Sequence, residues 1–254
     1  MVNRSGIWAY SASVAGARHL RRGVERQDRA FHRVEADFAI AVVSDGAGSA
    51  RNAALGATVT TTRATSAAAW RMLDLAKPPT AADLEKVLRE SAYGVRQSLE
   101  ELSRQSGEPL RSYANTLLLS IQTDTLLGAA QVGDGGMVIS NDRGGFDCLT
   151  APQHGEYVNQ TTFITSREWL EQMEVKVVEA QPRYLAMFSD GLENLVIERA
   201  TQQPFFGFFN NVFQWLEGQS DPLRVEAELS GLLSSSRVTS KSDDDITLLL
   251  TIRR

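Results

Sequence analysis

Six consecutive apolar residues, Phe38-Ala39-Ile40-Ala41-Val42-Val43, run directly into Ser44-Asp45-Gly46-Ala47-Gly48-Ser49. The run reads as a buried strand, and the rest of the chain is organised around its end. An aspartate there can aim its carboxylate off the sheet edge. The glycine after it lets the backbone come close and turn its own carbonyl the same way. Two hard oxygen donors on one short segment suit Mg²⁺ or Mn²⁺. Taken alone, the stretch is equally a strand, a Gly-rich turn and a helix cap, because Asp-Gly is a common turn signal.

The remainder of the 254 residues narrows the choice. Hydrophobic residues make up 43% and charged residues 22%, the balance of an ordinary soluble globular chain. The net charge of -5 and the lack of any Lys/Arg-rich run give no sign of nucleic-acid binding. No stretch is apolar for long enough to span a bilayer, and Met1 to Gly6 leads into no apolar signal region. The single cysteine, Cys148, excludes an intrachain disulfide and argues against a cysteine-based zinc site. A cytoplasmic enzyme or binding protein, folded as one domain over residues 1–254, is the expectation.

Ile7 to Val14 reads as a first strand, Ala17 to Gln27 as a basic loop, and Asp28 to Val34 as a strand leading to Phe38–Val43. The Ala/Thr-rich stretch after Ser49 predicts a helix up to Leu73, although its threonines weaken it. Thr80 with Asp83 predicts the start of a second helix, and Leu84, Val87, Leu88, Ala92, Val95, Leu99 and Leu102 give its apolar face. Strands follow at Thr116–Ile121, Thr125–Val132, Met137–Ser140, Val175–Val178, Tyr184–Phe188 and Ile246–Ile252. Phe205 to Leu216 is an aromatic-rich helix or partly helical insert read as core packing, and Leu223 to Leu233 reads as a further helix.

Four separated elements share one grammar, an Asp at a strand end or turn beside Gly or a further Asp. They are Asp45-Gly46, Gly133-Asp134-Gly135, Asp190-Gly191 and Asp244-Asp245, with Gln27-Asp28 as a fifth at a strand start. Strand ends on one edge of a sheet converge however far apart they lie in sequence. Ionised carboxylates brought together raise one another's pKa, and a divalent cation removes that penalty. Without His or Cys partners, such a set favours oxygen-ligated Mg²⁺ or Mn²⁺ over zinc. Each aspartate by itself is an ordinary turn residue; the ordered set carries the specificity.

The order Gln27-Asp28, Val43-Ser44-Asp45-Gly46, Val132-Gly133-Asp134, Phe188-Ser189-Asp190-Gly191-Leu192 and Asp244-Asp245-Ile246-Thr247 resembles the metal-dependent protein phosphatase 2C family. The likeness runs from about Ser11 to the C-terminus. His19 and Gly23 before Gln27-Asp28, and Ala47-Gly48-Ser49-Ala50, resemble its compact bacterial branch. The resemblance implies an α+β fold, a four-layer sandwich of two stacked antiparallel sheets with helices outside. It implies a phosphoserine/phosphothreonine protein phosphatase using two Mn²⁺ or Mg²⁺ ions and a weak third, acting on a phosphoprotein supplied by a Ser/Thr kinase. In that scheme Asp45 bridges two metals, the Gly46 carbonyl binds the second, and Asp190 and Asp244 complete the first. Asp28 holds a metal-bound water, and Asp134 serves the third ion. The water activated between the ions attacks phosphorus in line, so no protein nucleophile is needed.

Four departures from the family pattern stand out. Asn194 takes the place of a further Asp after Ser-Asp-Gly. Ala47 replaces a His proposed as general acid in eukaryotic members. Gly23 falls where the phosphate-binding Arg is expected, and Arg26 where Asn is usual. Arg22, Arg26 and Arg51 are then the candidates for phosphate, Arg51 with the advantage of lying near a helix N-terminus. His19 is a further candidate for contact with substrate; His32 and His154 read as hydrogen-bonded or exposed, and Cys148 as a packing residue. The alternative reading is a catalytically weak or dead relative that binds phosphoproteins or partners. The retained Asp45, Asp190 and Asp244 argue against it.

Overall fold

The computed structural model describes residues 5–75, 78–150 and 161–254. Two five-stranded antiparallel sheets are stacked face to face. The first contains, in spatial order, β1 (Ile7–Val14), β12 (Ile246–Arg253), β9 (Tyr184–Phe188), β6 (Gly136–Ser140) and β7 (Phe146–Thr150). The second contains β2 (Arg29–Val34), β3 (Phe38–Ser44), β4 (Leu117–Thr123), β5 (Leu127–Val132) and β8 (Glu174–Val178). A two-residue hairpin, β10 (Ile197–Glu198) with β11 (Gln203–Pro204), stands apart.

Strand alternation explains the layers. In β3, Ile40 and Val42 join the core under the helices, while Ala41 and Val43 join the core between the sheets. In β12, Leu248 and Leu250 face outward to a helical layer and Leu249 faces the opposing sheet. Both central strands are apolar on two faces because each is covered twice, as the Phe38–Val43 run requires. Two long helices, α2 (Ala53–Asp74) and α3 (Ala81–Ser106), cover the second sheet. Over the first lie α4 (Asp190–Val196), α5 (Phe206–Glu217), α6 (Pro222–Leu233) and α7 (Ser236–Thr239). The α+β sandwich expected from the sequence is present.

Local chemistry accounts for the helix boundaries. Thr80 and Asp83 form a reciprocal capping box at the start of α3. The threonines of α2 are accommodated because Thr58, Thr61, Thr62 and Thr65 each donate a hydroxyl hydrogen bond to the carbonyl four residues earlier. The basic stretch expected as a loop instead contains a short helix, α1 (Ala17–Arg22). It lacks an apolar face and is held by tertiary contacts: Arg18 N donates to Asp243 O at 3.0 Å and Gly16 N to Asp245 Oδ1 at 2.8 Å. The sequence reading also passed over β7, whose Phe146 packs beneath the aromatic rings of α5. Among the described residues no helix is long and apolar enough to cross a membrane.

Candidate functional site

Register brings the five acidic segments to one edge. Arg29 pairs with Ser44, so Asp28 at the entry to β2 lies beside Asp45 at the exit of β3. Leu117 pairs with Val132, so the Asp134 turn opens at the same end of that sheet. In the other sheet Phe188 pairs with both Gly136 and Leu248. Asp190, at the first turn of α4, thereby meets the Asp134 turn on one side and Asp244-Asp245 on the other.

Asp45 and Gly46 are fixed by a segment that sequence reasoning did not single out, Asn115-Thr116. Thr116 N donates to Asp45 O at 2.8 Å, and Asp45 N donates to Thr116 Oγ1 at 2.9 Å. Gly46 bridges to Asn115, and the Ser44 hydroxyl donates to Thr116 O at 2.6 Å. The backbone that carries the first acidic group is therefore rigid before any ion is considered.

Asp28 is buried, with Thr247 Oγ1 donating to its Oδ2 at 2.9 Å. Asp45 and Asp190 keep a partly exposed face but are crowded by protein on their other sides. Desolvation is the first cause that raises all three carboxyls. Asp28 is pushed up to about 6, the charge of Asp245 adding to its burial. Asp190 reaches about 7, with Asp134, Asp244 and Asp28 pressing on it after burial. Asp45 is lifted well above the ordinary range by burial and then by the charges of Asp28 and Asp190. Asp28 Oδ1 and Asp190 Oδ1 are both buried without a hydrogen-bond partner.

These features fit hard divalent cations: crowded carboxyls, orphaned carboxyl oxygens and an all-oxygen donor set. Among the described residues no three His, Cys, Asp or Glu side chains close on a single cation-sized point. Asp45 instead feels the charges of Asp28 and Asp190 beside it. Side-chain rotation would be needed to bring the carboxyl oxygens of these segments onto one ion.

The two aspartates before β12 have different surroundings. Asp245 is buried and its carboxylate accepts from Gly16 N, from Gln27 N at 2.5 Å and from the His19 ring, Nδ1 lying 2.7 Å away. Gly191 makes this possible, since a Cβ there would stand 2.0 Å from Asp245 O. Asp244 is half-exposed and its Oδ2 lies 2.5 Å from Arg18 Nη2. The same guanidinium reaches the loop after Asp45: a Cβ on Gly48 would sit 3.2 Å from Arg18 Nη2.

The candidate substrate residues are dispersed. His19 is buried against Asp245. Arg26 is turned inward, donating from Nη1 to Ser13 O and from Nε to Asp28 O at 3.1 Å. Arg51 is exposed and pairs with Glu108 at 3.0 Å, and Arg22 is exposed. Arg18, which the sequence reading did not single out, pairs its guanidinium with the Asp244 carboxylate. Asp134 accepts from Thr161 Oγ1 at 2.6 Å, and Asn194 Oδ1 accepts from Arg199 Nη2 at 2.7 Å. His32 is half-buried and its pKa is lowered, chiefly by desolvation. Burial likewise raises the Cys148 thiol, which suits packing rather than attack. His154 lies outside the described residues.

The model of the family described as Protein phosphatase 2C matches residues 15–234. Serine/threonine-protein phosphatase 3 of Escherichia coli (strain K12) is 30% identical over 160 residues, covering 62% of this chain and 63% of that protein. The match thus spans less than two thirds of the relative's length. Among solved structures, the serine/threonine phosphatase Stp1 from Staphylococcus aureus aligns over 100% of this chain and 98% of its own, with a TM-score of 0.69 at 14% identity. PppA of Pseudomonas aeruginosa, described as a key regulatory component of T6SS, aligns over 98% of each chain with a TM-score of 0.68 at 17% identity. At these identities the structural likeness establishes the fold.

Proposed function

The chain belongs to the protein phosphatase 2C family, and from that premise we propose that it hydrolyses phosphoserine and phosphothreonine in a phosphoprotein, with Mn²⁺ or Mg²⁺ held at the acidic edge. The observation that carries this reading is the crowding of Asp28, Asp45 and Asp190, two of them with an orphaned carboxyl oxygen. Two bound ions would supply an activated water and neutralise the charge of the phosphate.

The chain's own residues take the following parts. Asp45 and the Gly46 carbonyl would hold both ions, with Asp190 and Asp244 completing the first. Asp28 would orient a water against the pair, and Asp134 would serve a weaker third ion. Arg18 is the guanidinium we assign to the phosphate, because it pairs with Asp244 and lies close beside Gly48. A planar guanidinium matches two phosphate oxygens at once. Asp245 orders the site from beneath by tying α1, Gln27 and β12 together. Ala47 offers no proton donor, so the leaving oxygen takes its proton from water or another group. A Ser/Thr kinase would generate the substrate.

The test is turnover of a phosphothreonine peptide and of p-nitrophenyl phosphate before chelation, after it, and after Mn²⁺ is restored. Activity should vanish and return. Full activity after exhaustive chelation would sink the reading, and no activity on either substrate at any Mn²⁺ concentration would favour a partner-binding relative. Arg18→Ala should raise the KM for phosphopeptide more than Arg22→Ala or Arg51→Ala does.

A further inference from the structure

Above the first sheet, away from the acidic edge, the helices do not close completely on one another. One face of α5 is spent on the core, where Phe209, Val212, Phe213 and Leu216 are buried. The same helix carries a second apolar face. Phe208 and Trp215, with Leu195 of α4 and Leu229 and Leu232 of α6, line a cavity of about 590 Å³. That volume lies within the range of small-molecule sites. The cavity reaches solvent, since Leu232 on its wall is 37% exposed.

Of the polar side chains on this wall, Trp215 and Glu228 are hydrogen-bonded internally, and the exposed Asn211 is neutral. Trp215 Nε1 donates to Glu228 Oε2 at 3.0 Å, and Arg224 Nε donates to Glu228 Oε1 at 2.6 Å. Glu228 is therefore already paired with a cation. Arg237 is exposed on the wall and has no hydrogen-bond or ion-pair partner among the described residues. An apolar cavity with a single uncommitted guanidinium has the polarity of an amphiphile carrying one negative charge. We propose that this cavity binds a fatty-acid carboxylate, its acyl chain between α5 and α6 and its head group on Arg237. The proposal goes beyond the phosphatase reading, and its test reads binding alone.

The probe is sodium palmitate, titrated calorimetrically into the full chain below its aggregation limit, beside hexadecyltrimethylammonium as a cationic control. One palmitate should bind per chain. Arg237→Gln should weaken palmitate binding about tenfold, the loss of one charge-assisted contact. Leu232→Trp starts from an exposed side chain and fills the cavity; it should abolish binding with circular dichroism and Tm unchanged. Lys241→Gln, a nearby charge outside the lining, should leave binding unchanged and so control for general charge. The proposal fails if palmitate gives no saturable heat, if several molecules bind per chain, or if the cationic amphiphile binds as tightly. It fails equally if Leu232→Trp leaves binding intact. Sedimentation showing a dimer that Leu232→Trp dissociates would assign the face to a second copy of the chain and overturn the proposal.

Discussion

Asp28, Asp45 and Asp190 share one edge with Asp134 and Asn194, yet the two groups are held by opposite means. The first three press on one another in a desolvated cluster, and each is raised above its ordinary range. At the second position, Asp134 rests on the Thr161 hydroxyl and Asn194 is occupied by Arg199. One region stores repulsion that a cation can relieve; the other holds a single carboxylate, hydrogen-bonded to a hydroxyl, beside a neutral amide. The difference predicts that ion affinity along this edge would follow uncompensated charge rather than the mere number of oxygens.

The comparison is broken most completely at Asp45. Asp45→Asn removes the central charge with little change in volume. Turnover should fall by roughly three orders of magnitude or more, by analogy with other residues that act as one catalytic unit. The chelated protein should at the same time gain stability, because a source of repulsion is gone. Thermal denaturation in chelator, beside steady-state kinetics with Mn²⁺, checks both signs. Loss of activity together with loss of the fold would show that Asp45 holds the structure rather than an ion.

Asp245 should respond in the opposite sense. Its carboxylate satisfies three backbone N–H groups, of Gly16, Gln27 and Asp28, and the His19 ring in a buried setting. Asp245→Ala leaves those donors unpaired, a loss of about 3–5 kcal/mol for a buried charged network. Urea denaturation in chelator measures it. A stability within 1 kcal/mol of the parent on the general scale of surface changes would show that α1 is held by something other than this carboxylate.

The aspartates of the acidic edge were legible because Asp-Gly at the end of an apolar run is a local pattern. Asp245, Arg18 and Asn115-Thr116 were not, because their meaning lies in contacts rather than in neighbours. His19 and Asp245 touch across 226 positions, and nothing in Ala17-Arg18-His19 announces it. Arg26 and Arg51 looked eligible by position alone; the fold spends one on the Ser13 carbonyl and the other on Glu108. The aromatic stretch of α5 read as core packing throughout; only the neighbouring helices separate the buried Phe209 and Phe213 from Phe208 and Trp215, which line the cavity.

A pH series sharpens the contrast further. Asp28 and Asp190, at about 6 and about 7, hold protons in the folded chain that the unfolded chain releases near 4. The folded state therefore binds more protons between those limits, and unfolding free energy falls as pH rises through the window. In chelator, the parent should lose Tm between about pH 4 and pH 7 more steeply than Asp45→Asn does; referring one to the other cancels the remaining titrating groups. Saturating Mn²⁺ should reverse the slope, since ions bind the deprotonated carboxylates. Equal slopes for parent and variant would mean that the three groups do not titrate as one cluster.

The smallest effect is expected at Asn194, and it is the one that isolates charge from geometry. A third ion near Asp134 would keep most of its waters and would be drawn mainly by net negative charge. Asn194→Asp adds such a charge, but Arg199 stands 2.7 Å from the side-chain oxygen and would pair with the new carboxylate. The single substitution should therefore strengthen the weakest Mn²⁺ site only slightly, by about twofold to threefold on the scale of an exposed ion pair. Asn194→Asp with Arg199→Ala should strengthen it more, while Arg199→Ala alone should do little. Asp134→Ala should remove that weakest site and reduce turnover less than Asp45→Asn. Calorimetric Mn²⁺ titration of the parent, both single variants and the double variant supplies the cycle. Three equally tight sites in the parent, unmoved by any of these changes, would show that compensation by Arg199 and Thr161 does not set the ion affinity of this side of the edge.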